Sequence, residues 1–327
     1  MQGGTAGARC SWRRRVRWRL ELLGWQALAA CLWQLGHRRT LALGAAVGRL
    51  LPRISPRRLH VATTDLRRVF GDRKTAAEID AIARRSLATL GATMAELLWL
   101  RRATRVDVAA LVEVDQKARR ALEEAAAHGR GVILIAIHFG RWELMFLGVN
   151  VTGHRFGLVT RPLENPYLDA YLSMIRCRFG NSVVHTGNAR SMHTALANGE
   201  TLLISIDHRS EGRRAAIVDF LGQTTALNSG IARLARRHDA RLLPIHPLTL
   251  PDGRLRITLG PTLEHRAADT VEAITQRAAN VFGDVIREHP EYWMWSHRRL
   301  WGQAPPSEPP DAQHAVEVAA VSGGAGA

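Results

Sequence analysis

Hydrophobic positions cluster most densely at "GVILIAIH", residues 131–138, where Val132, Ile133, Leu134, Ile135 and Ile137 run almost without a polar interruption. The stretch is too short and too uniformly apolar for an amphipathic helix, and predicts a strand buried on both faces. Downstream, strand-like runs at 154–162, 181–186, 200–207 and 241–250 alternate with helical patterns. Those helices are predicted at 165–180, 189–199 and 227–240, the first two ending on Gly180 and Gly199. Strands alternating with helices predict an α/β fold with a mostly parallel central sheet flanked by helices. Residues 253–263 predict an added antiparallel strand after the Pro251-Asp252-Gly253 turn. Upstream, residues 59–103 read as helices broken at "FGDRK", with Ile79, Ile82, Leu87, Leu90, Met94 and Leu97 at helical spacing. Another helix, 115–129, ends on Gly129, and a long last helix, 269–289, leads into "HPEYWMWSHRRLWG".

Composition divides the chain further. A net charge of +16 is concentrated at the N-terminus, where residues 1–60 carry twelve arginines against Glu21 alone. Such an excess attracts polyanions: nucleic acid, anionic lipid headgroups or an acidic carrier protein. Trp12, Trp18, Trp25 and Trp33 lie between the arginines, a pattern suited to a membrane segment. The uncharged stretch, Leu22 to Gly36, is shorter than the roughly 20 residues needed to cross a bilayer. A membrane-embedded helix, spanning or re-entrant, an interfacial helix and an ordinary soluble one all stay open. The expected organisation is a basic membrane-anchoring helical region at 1–58, a catalytic domain at 59–303, and a disordered Pro, Ala, Gly and Ser-rich tail at 304–327. Three widely spaced cysteines, Cys10, Cys31 and Cys177, form no CxxC pair and predict neither a disulfide framework nor a zinc site. Cys177 reads as a small buried hydrophobe.

Candidate chemistry sits at strand ends, where α/β folds collect ligands. His138 closes the first apolar strand and Glu143 follows five residues later. A carboxylate accepting one ring N–H fixes the tautomer and leaves the other nitrogen as a base. The bland alternative is a capping histidine with a solvated glutamate at a helix start. Arg161 stands at another strand end, with Arg176 and Arg178 on the next helix, able to hold an oxyanion or a phosphate or to form a solvated basic face. "SIDHR" ends a strand on Asp207, followed by His208 and Arg209, and "WMWSHRRLW" places His297 among tryptophans. The 14 histidines offer no short metal-binding spacing, so no metal is expected. There is no P-loop, no GxGxxG after a strand and no Gly-x-Ser-x-Gly elbow.

"TTDLRRVFGD", "HFGRWE", "RPLENPYLDAYLSMIRCRFG", "GETLLISIDHR", "VDFLGQTTALNSGIARLARRHDARLLPIH" and "PEYWMWSHRRLWG", in this order, resemble the bacterial lipid A biosynthesis acyltransferases over roughly residues 20 to 303. Asp65 stands where that family usually has asparagine. The resemblance implies a bacterial inner-membrane enzyme facing the cytoplasm. It would move a fatty acyl chain from acyl carrier protein, or from coenzyme A, to a hydroxyl of an anionic membrane lipid, lipid A or its precursor, the alternative being another lipid such as a lysophospholipid, an aminolipid or a glycolipid. It implies His138 as base, Glu143 as its partner carboxylate and Arg176 in the active site. Arg161, Arg178, Asp207, Arg209 and His297 would then line the substrate site. No cofactor beyond the acyl thioester, and no nucleic acid, is expected.

Overall fold

The computed structural model describes residues 11–127, 129–266 and 268–296. Four helices come first: α1 (Trp12–Leu35), α2 (His37–Ile54), α3 (Pro56–Phe70) and α4 (Ala76–Trp99). α1 stops at Gly36, whose φ of 75° admits glycine without strain, and α2 starts on the next residue. The predicted break at "FGDRK" separates α3 from α4, and α4 begins with a complete capping box between Thr75 and Glu78.

The sheet is built from β1 (Val112–Val114), β2 (Val132–Ala136), β3 (Gly157–Thr160), β4 (Ser182–His185), β5 (Thr201–Ser205), β8 (Arg241–Thr249) and β9 (Leu255–Leu259). A separate antiparallel hairpin pairs β6 (Ala215–Phe220) with β7 (Gln223–Asn228). Spatial order in the sheet is β1-β9-β8-β2-β5-β3-β4. β2, β3, β4, β5 and β8 run parallel, while β9 is antiparallel to β8. The expected fold class therefore holds, down to the added antiparallel strand. Every residue of β2 is buried, as its uniform apolarity required.

Helices α5 (Arg105–Leu111), α6 (Gln116–Ala127), α7 (Trp142–Val151), α8 (Pro166–Arg176), α9 (Ala189–Ala197), α10 (Gly230–His238) and α11 (Val271–Glu288) complete the described chain. Two large apolar clusters, each with residues of β2, lie among these helices and the sheet. Alternate residues of β2 point into each: Ile133 and Ile135 into one, Val132, Leu134 and Ala136 into the other.

Two local expectations change. Leu227 and Asn228, read as the start of a helix, belong to β7, and α10 begins at Gly230. The hairpin escaped detection because "AAIVDF" and "QTTALN" alternate only weakly, with Ile217 exposed and Thr225 buried. In the N-terminal region, no helix among the described residues is long and apolar enough to cross a membrane. The tail from 304 onward and His297 lie outside the described residues.

α2 and α4 pack backbone to backbone. A Cβ added at Gly48 would stand 2.2 Å from the Leu87 carbonyl oxygen, and one at Gly91 would stand 2.2 Å from the Gly44 carbonyl oxygen. α1 is tied to the loop before α8 by Asn165, whose Nδ2 donates to the Trp18 carbonyl at 3.0 Å and to Glu21 Oε2 at 2.9 Å.

Candidate active site

Parallel pairing places the central histidine. β2 and β5 are neighbours in register Ala136↔Ser205, and the Ile206 N–H continues the pairing to the Ala136 carbonyl at 3.0 Å. Two residues beyond that register pair come His138 and Asp207. Asp207 Oδ1 lies 2.8 Å from His138 Nδ1, and Oδ2 accepts the His138 backbone N–H at 3.0 Å and the Trp293 indole N–H at 3.1 Å. The carboxylate is buried, at 1 % exposure, and these donors compensate its loss of water. An ionised carboxylate only accepts hydrogen bonds, so Nδ1 carries the proton and Nε2 the lone pair in the neutral ring.

Glu143 is placed differently from the sequence expectation. It sits in the first turn of α7, 2 % exposed, and accepts from Arg176 Nε at 3.0 Å and Arg176 Nη2 at 2.5 Å. The Trp142 indole N–H also donates to it at 3.2 Å. The carboxylate on the imidazole Nδ1 is thus Asp207, expected only as a substrate contact, while Glu143 anchors Arg176. The reason is tertiary. A five-residue separation permits a return toward the ring, but the neighbouring strand delivers Asp207 there by register. The buried Glu143 is met by the end of α8.

Arg176 is consequently held in place by its partner. Burial, the largest single influence, pulls its pKa down, but the Glu143 charge, the Glu143 hydrogen bonds and the Asp169 charge together outweigh it and raise it. The bidentate contact uses Nε and Nη2 and leaves Nη1 without a hydrogen-bond partner among the described residues. Trp142 meets the His138 ring edge-on at 5.3 Å between centroids, so it lies against both the histidine and Glu143.

The remaining candidates separate. Arg178 is turned away: Nη1 donates to the Arg101 carbonyl at 2.8 Å and Nη2 to the Ala103 carbonyl at 2.5 Å, so it holds the chain beyond α4. Arg161 follows β3 and is exposed. Arg209 is exposed beyond β5, with a loose ion pair to Glu211 at 3.9 Å, and its backbone bridges Leu227 of the hairpin. His297 falls outside the described residues. Burial raises the Cys177 pKa, the direction that suppresses thiolate chemistry.

The sequence pattern singled out His208 and Trp293 only as members of their clusters, without a role, and gave no sign of Trp142. His208 is exposed and its ring lies 5.1 Å from that of His138. His138, Asp207 and His208 form a group whose ligand-type atoms lie within 4.8 Å of one another, a proximity that spacing along the chain did not disclose. Both Asp207 oxygens already accept hydrogen bonds there, which is poor preparation for a cation. Trp293 arrives through a bridge with Phe139, formed by Gly140 N–H to the Tyr292 carbonyl at 2.8 Å and Met294 N–H to the His138 carbonyl at 3.1 Å. The available signal was the tryptophan-rich "YWMW", but nothing local said where it docks.

Comparison with known proteins gives this geometry a context. The family described as bacterial lipid A biosynthesis acyltransferase matches residues 12–301. A phosphatidylinositol mannoside acyltransferase of Mycolicibacterium smegmatis is 30 % identical over 169 residues, covering 50 % of this chain and 55 % of that protein. A lipid A biosynthesis acyltransferase of Haemophilus influenzae is 21 % identical over 176 residues, covering 53 % of this chain and 55 % of that protein. The chain thus spans about half the length of these curated relatives.

Proposed function

Because the chain belongs to the bacterial lipid A biosynthesis acyltransferase family and is an acyl-transferring enzyme, we propose that it moves a fatty acyl chain from an acyl thioester, carried by acyl carrier protein, to a hydroxyl of lipid A or its precursor. The observation that carries the chemistry is the His138–Asp207 pair, 2.8 Å apart at the ends of adjacent parallel strands. His138 Nε2 takes the proton of the acceptor hydroxyl as its oxygen attacks the thioester carbonyl carbon. Asp207 holds Nδ1–H and stabilises the imidazolium. The tetrahedral intermediate carries an oxyanion, and its assigned donor is Arg176, whose guanidinium Glu143 holds through Nε and Nη2. Collapse breaks the C–S bond, the thiolate takes the proton back from His138, and an ester and a free thiol leave. The transfer forms no acyl-enzyme.

A second acceptor class has its own support. The mycobacterial relatives carry the higher identity and are named for a phosphatidylinositol mannoside, so a glycolipid hydroxyl is an equal candidate acceptor. Mass spectrometry of membrane lipids from cells with the gene, without it, and complemented by His138→Ala separates the readings. Loss of one secondary acyl chain from lipid A supports the first, and loss from a glycolipid supports the second. Full complementation by folded His138→Ala removes the base assignment.

The enzyme is proposed to act at the cytoplasmic face of the inner membrane. Exposed Leu43, Val47, Leu50 and Ile54 recur on one face of α2, and Trp12, Val16, Leu20 and Leu23 on one face of α1. On α2, Arg49 and Arg53 stand among them, the pattern of an amphipathic helix that lies in a membrane interface. The same excess of arginine suits an acidic carrier protein.

A further inference from the structure

α4 buries three polar side chains, Ser86, Thr93 and Glu96, seven and three residues apart. Those separations are close to two turns and one turn, so the three share one stripe of the helix. All three serve the same target. Ser86 Oγ donates to the Trp293 carbonyl at 2.6 Å. Thr93 Oγ1 shares its proton between the Thr89 carbonyl of its own helix and the Gly140 carbonyl, each at 2.9 Å. Glu96, 0 % exposed, accepts from Arg141 Nε at 3.0 Å and Arg141 Nη2 at 2.5 Å. Gly140 and Arg141 belong to the loop between His138 and α7, and Trp293 is the residue that donates to Asp207.

A buried carboxylate is tolerated only where its partner's geometry is good, and the helix that carries this one lies directly on the α2 backbone. Arg141 also donates to the Gly253 carbonyl at 2.8 Å, so its guanidinium has one arrangement. On its far side Glu96 meets His37 Nε2 at 2.6 Å, at the first residue of α2. None of these groups takes part in the proton transfer, yet together they clamp the segment that carries it.

We propose that Thr93 and Glu96 are positioning residues for the acyl-transfer base: from α4 they hold the His138–Trp142 loop so that the imidazole meets Asp207 and the acceptor hydroxyl in reactive geometry. The inference rests on His138 being that base. Displacements of about 1 Å in such a constellation cost on the order of 100-fold in rate. The sequence gives no hint of this role, since Thr93 and Glu96 read as two polar positions in an amphipathic helix.

The test uses the purified full chain, a long-chain acyl-coenzyme A as donor, a total lipid extract of the source cells as acceptor, and thiol release as the signal. Thr93→Val keeps the shape and removes the hydroxyl proton, whereas Thr93→Ser restores it. Glu96→Gln is made in parallel, and the valine variant remains informative if the glutamine variant does not fold. Thr93→Val is expected to lower kcat about 10-fold or more, with KM changed less than about 2-fold, well below its melting temperature. The proton NMR signal of His138 Nδ1–H should shift with it, and Thr93→Ser should return both. A valine variant with wild-type kcat and an unmoved signal, beside an inactive His138→Ala, overturns the inference while leaving the base assignment intact. Activity in His138→Ala overturns both.

Discussion

The strand ends that hold His138 and Asp207 and the helical region of α1, α2 and α4 solve the same problem of placement by different physics. At the strand ends, hydrogen-bond register does the work: residues 136 and 205 pair, so residues 138 and 207 meet. In the helical region nothing repeats at that precision, and placement depends on glycines that let two backbones touch and on a buried charge network closed by His37, Glu96 and Arg141. The difference teaches where tolerance should lie. A register is shared among many ladder bonds and survives the loss of one side chain, so mutations at the strand ends should alter chemistry more than fold. The helical network has few members, with Glu96 and Arg141 buried and His37 partly so, and mutations there should disturb geometry at a distance.

The sharpest way to break this contrast is Asp207→Asn. The amide keeps the size of the side chain and can present its N–H to Nδ1, selecting the wrong tautomer of His138. A fall in kcat on the order of 10³- to 10⁴-fold is expected, with the melting temperature nearly unchanged. A variant that instead unfolds would place the strand-end pair among the structural elements and erase the distinction.

A second prediction concerns stability at the same end of the sheet. His246, on β8 and 7 % exposed, packs its ring against Phe139, and burial, with a smaller contribution from His289, pushes its pKa down to about 4. The folded form therefore prefers the neutral ring, while the unfolded chain binds a proton near pH 6.5. Stability contributed by this preference is complete above about pH 6.5 and declines as pH falls toward about 4, on the order of 3 kcal/mol in all. Denaturant melts of the protein and of His246→Leu across that range should converge or diverge accordingly, and a pH slope that survives the leucine would assign the effect to other groups.

The smallest effect is expected on the helical surface. Val47→Ser with Leu50→Ser removes two exposed apolar groups of α2 without touching the glycine contacts with α4. Flotation with vesicles of anionic lipid should fall about 10-fold, further at high salt, while thiol release from a soluble acyl thioester stays constant. Unchanged flotation would move the membrane contact elsewhere.

Much of the fold was legible because parallel, doubly covered strands are apolar on both faces and alternate with helical periodicity, although α8 stops at Arg176, short of the Gly180 end the pattern predicted. β2 and the antiparallel β9 were both foreseen. The β6–β7 hairpin was not, since its two strands alternate poorly and a helix pattern overlaps its end. At the site, His138 and Arg176 stood out as polar residues at the ends of apolar elements, and Asp207 was noticed without its role. Glu143 was assigned to the wrong neighbour because separation along the chain reports reach and not direction. Arg178 was misread for a related reason: a basic residue beside Arg176 spends its guanidinium on carbonyls beyond α4.

The amino-acid sequence by itself determined the alternation of strands and helices, the basic and aromatic N-terminus, and the strand-end location of the histidine, because these follow from side-chain periodicity and charge, which are local. Only the tertiary structure decided which carboxylate meets His138 Nδ1, what anchors Arg176, and that Thr93 and Glu96 of α4 bond to the loop after His138. Each is a contact between residues 33 to 69 positions apart, such as Glu143 with Arg176 and His138 with Asp207. Such contacts are selected by register and burial acting together, and no window of sequence contains both partners.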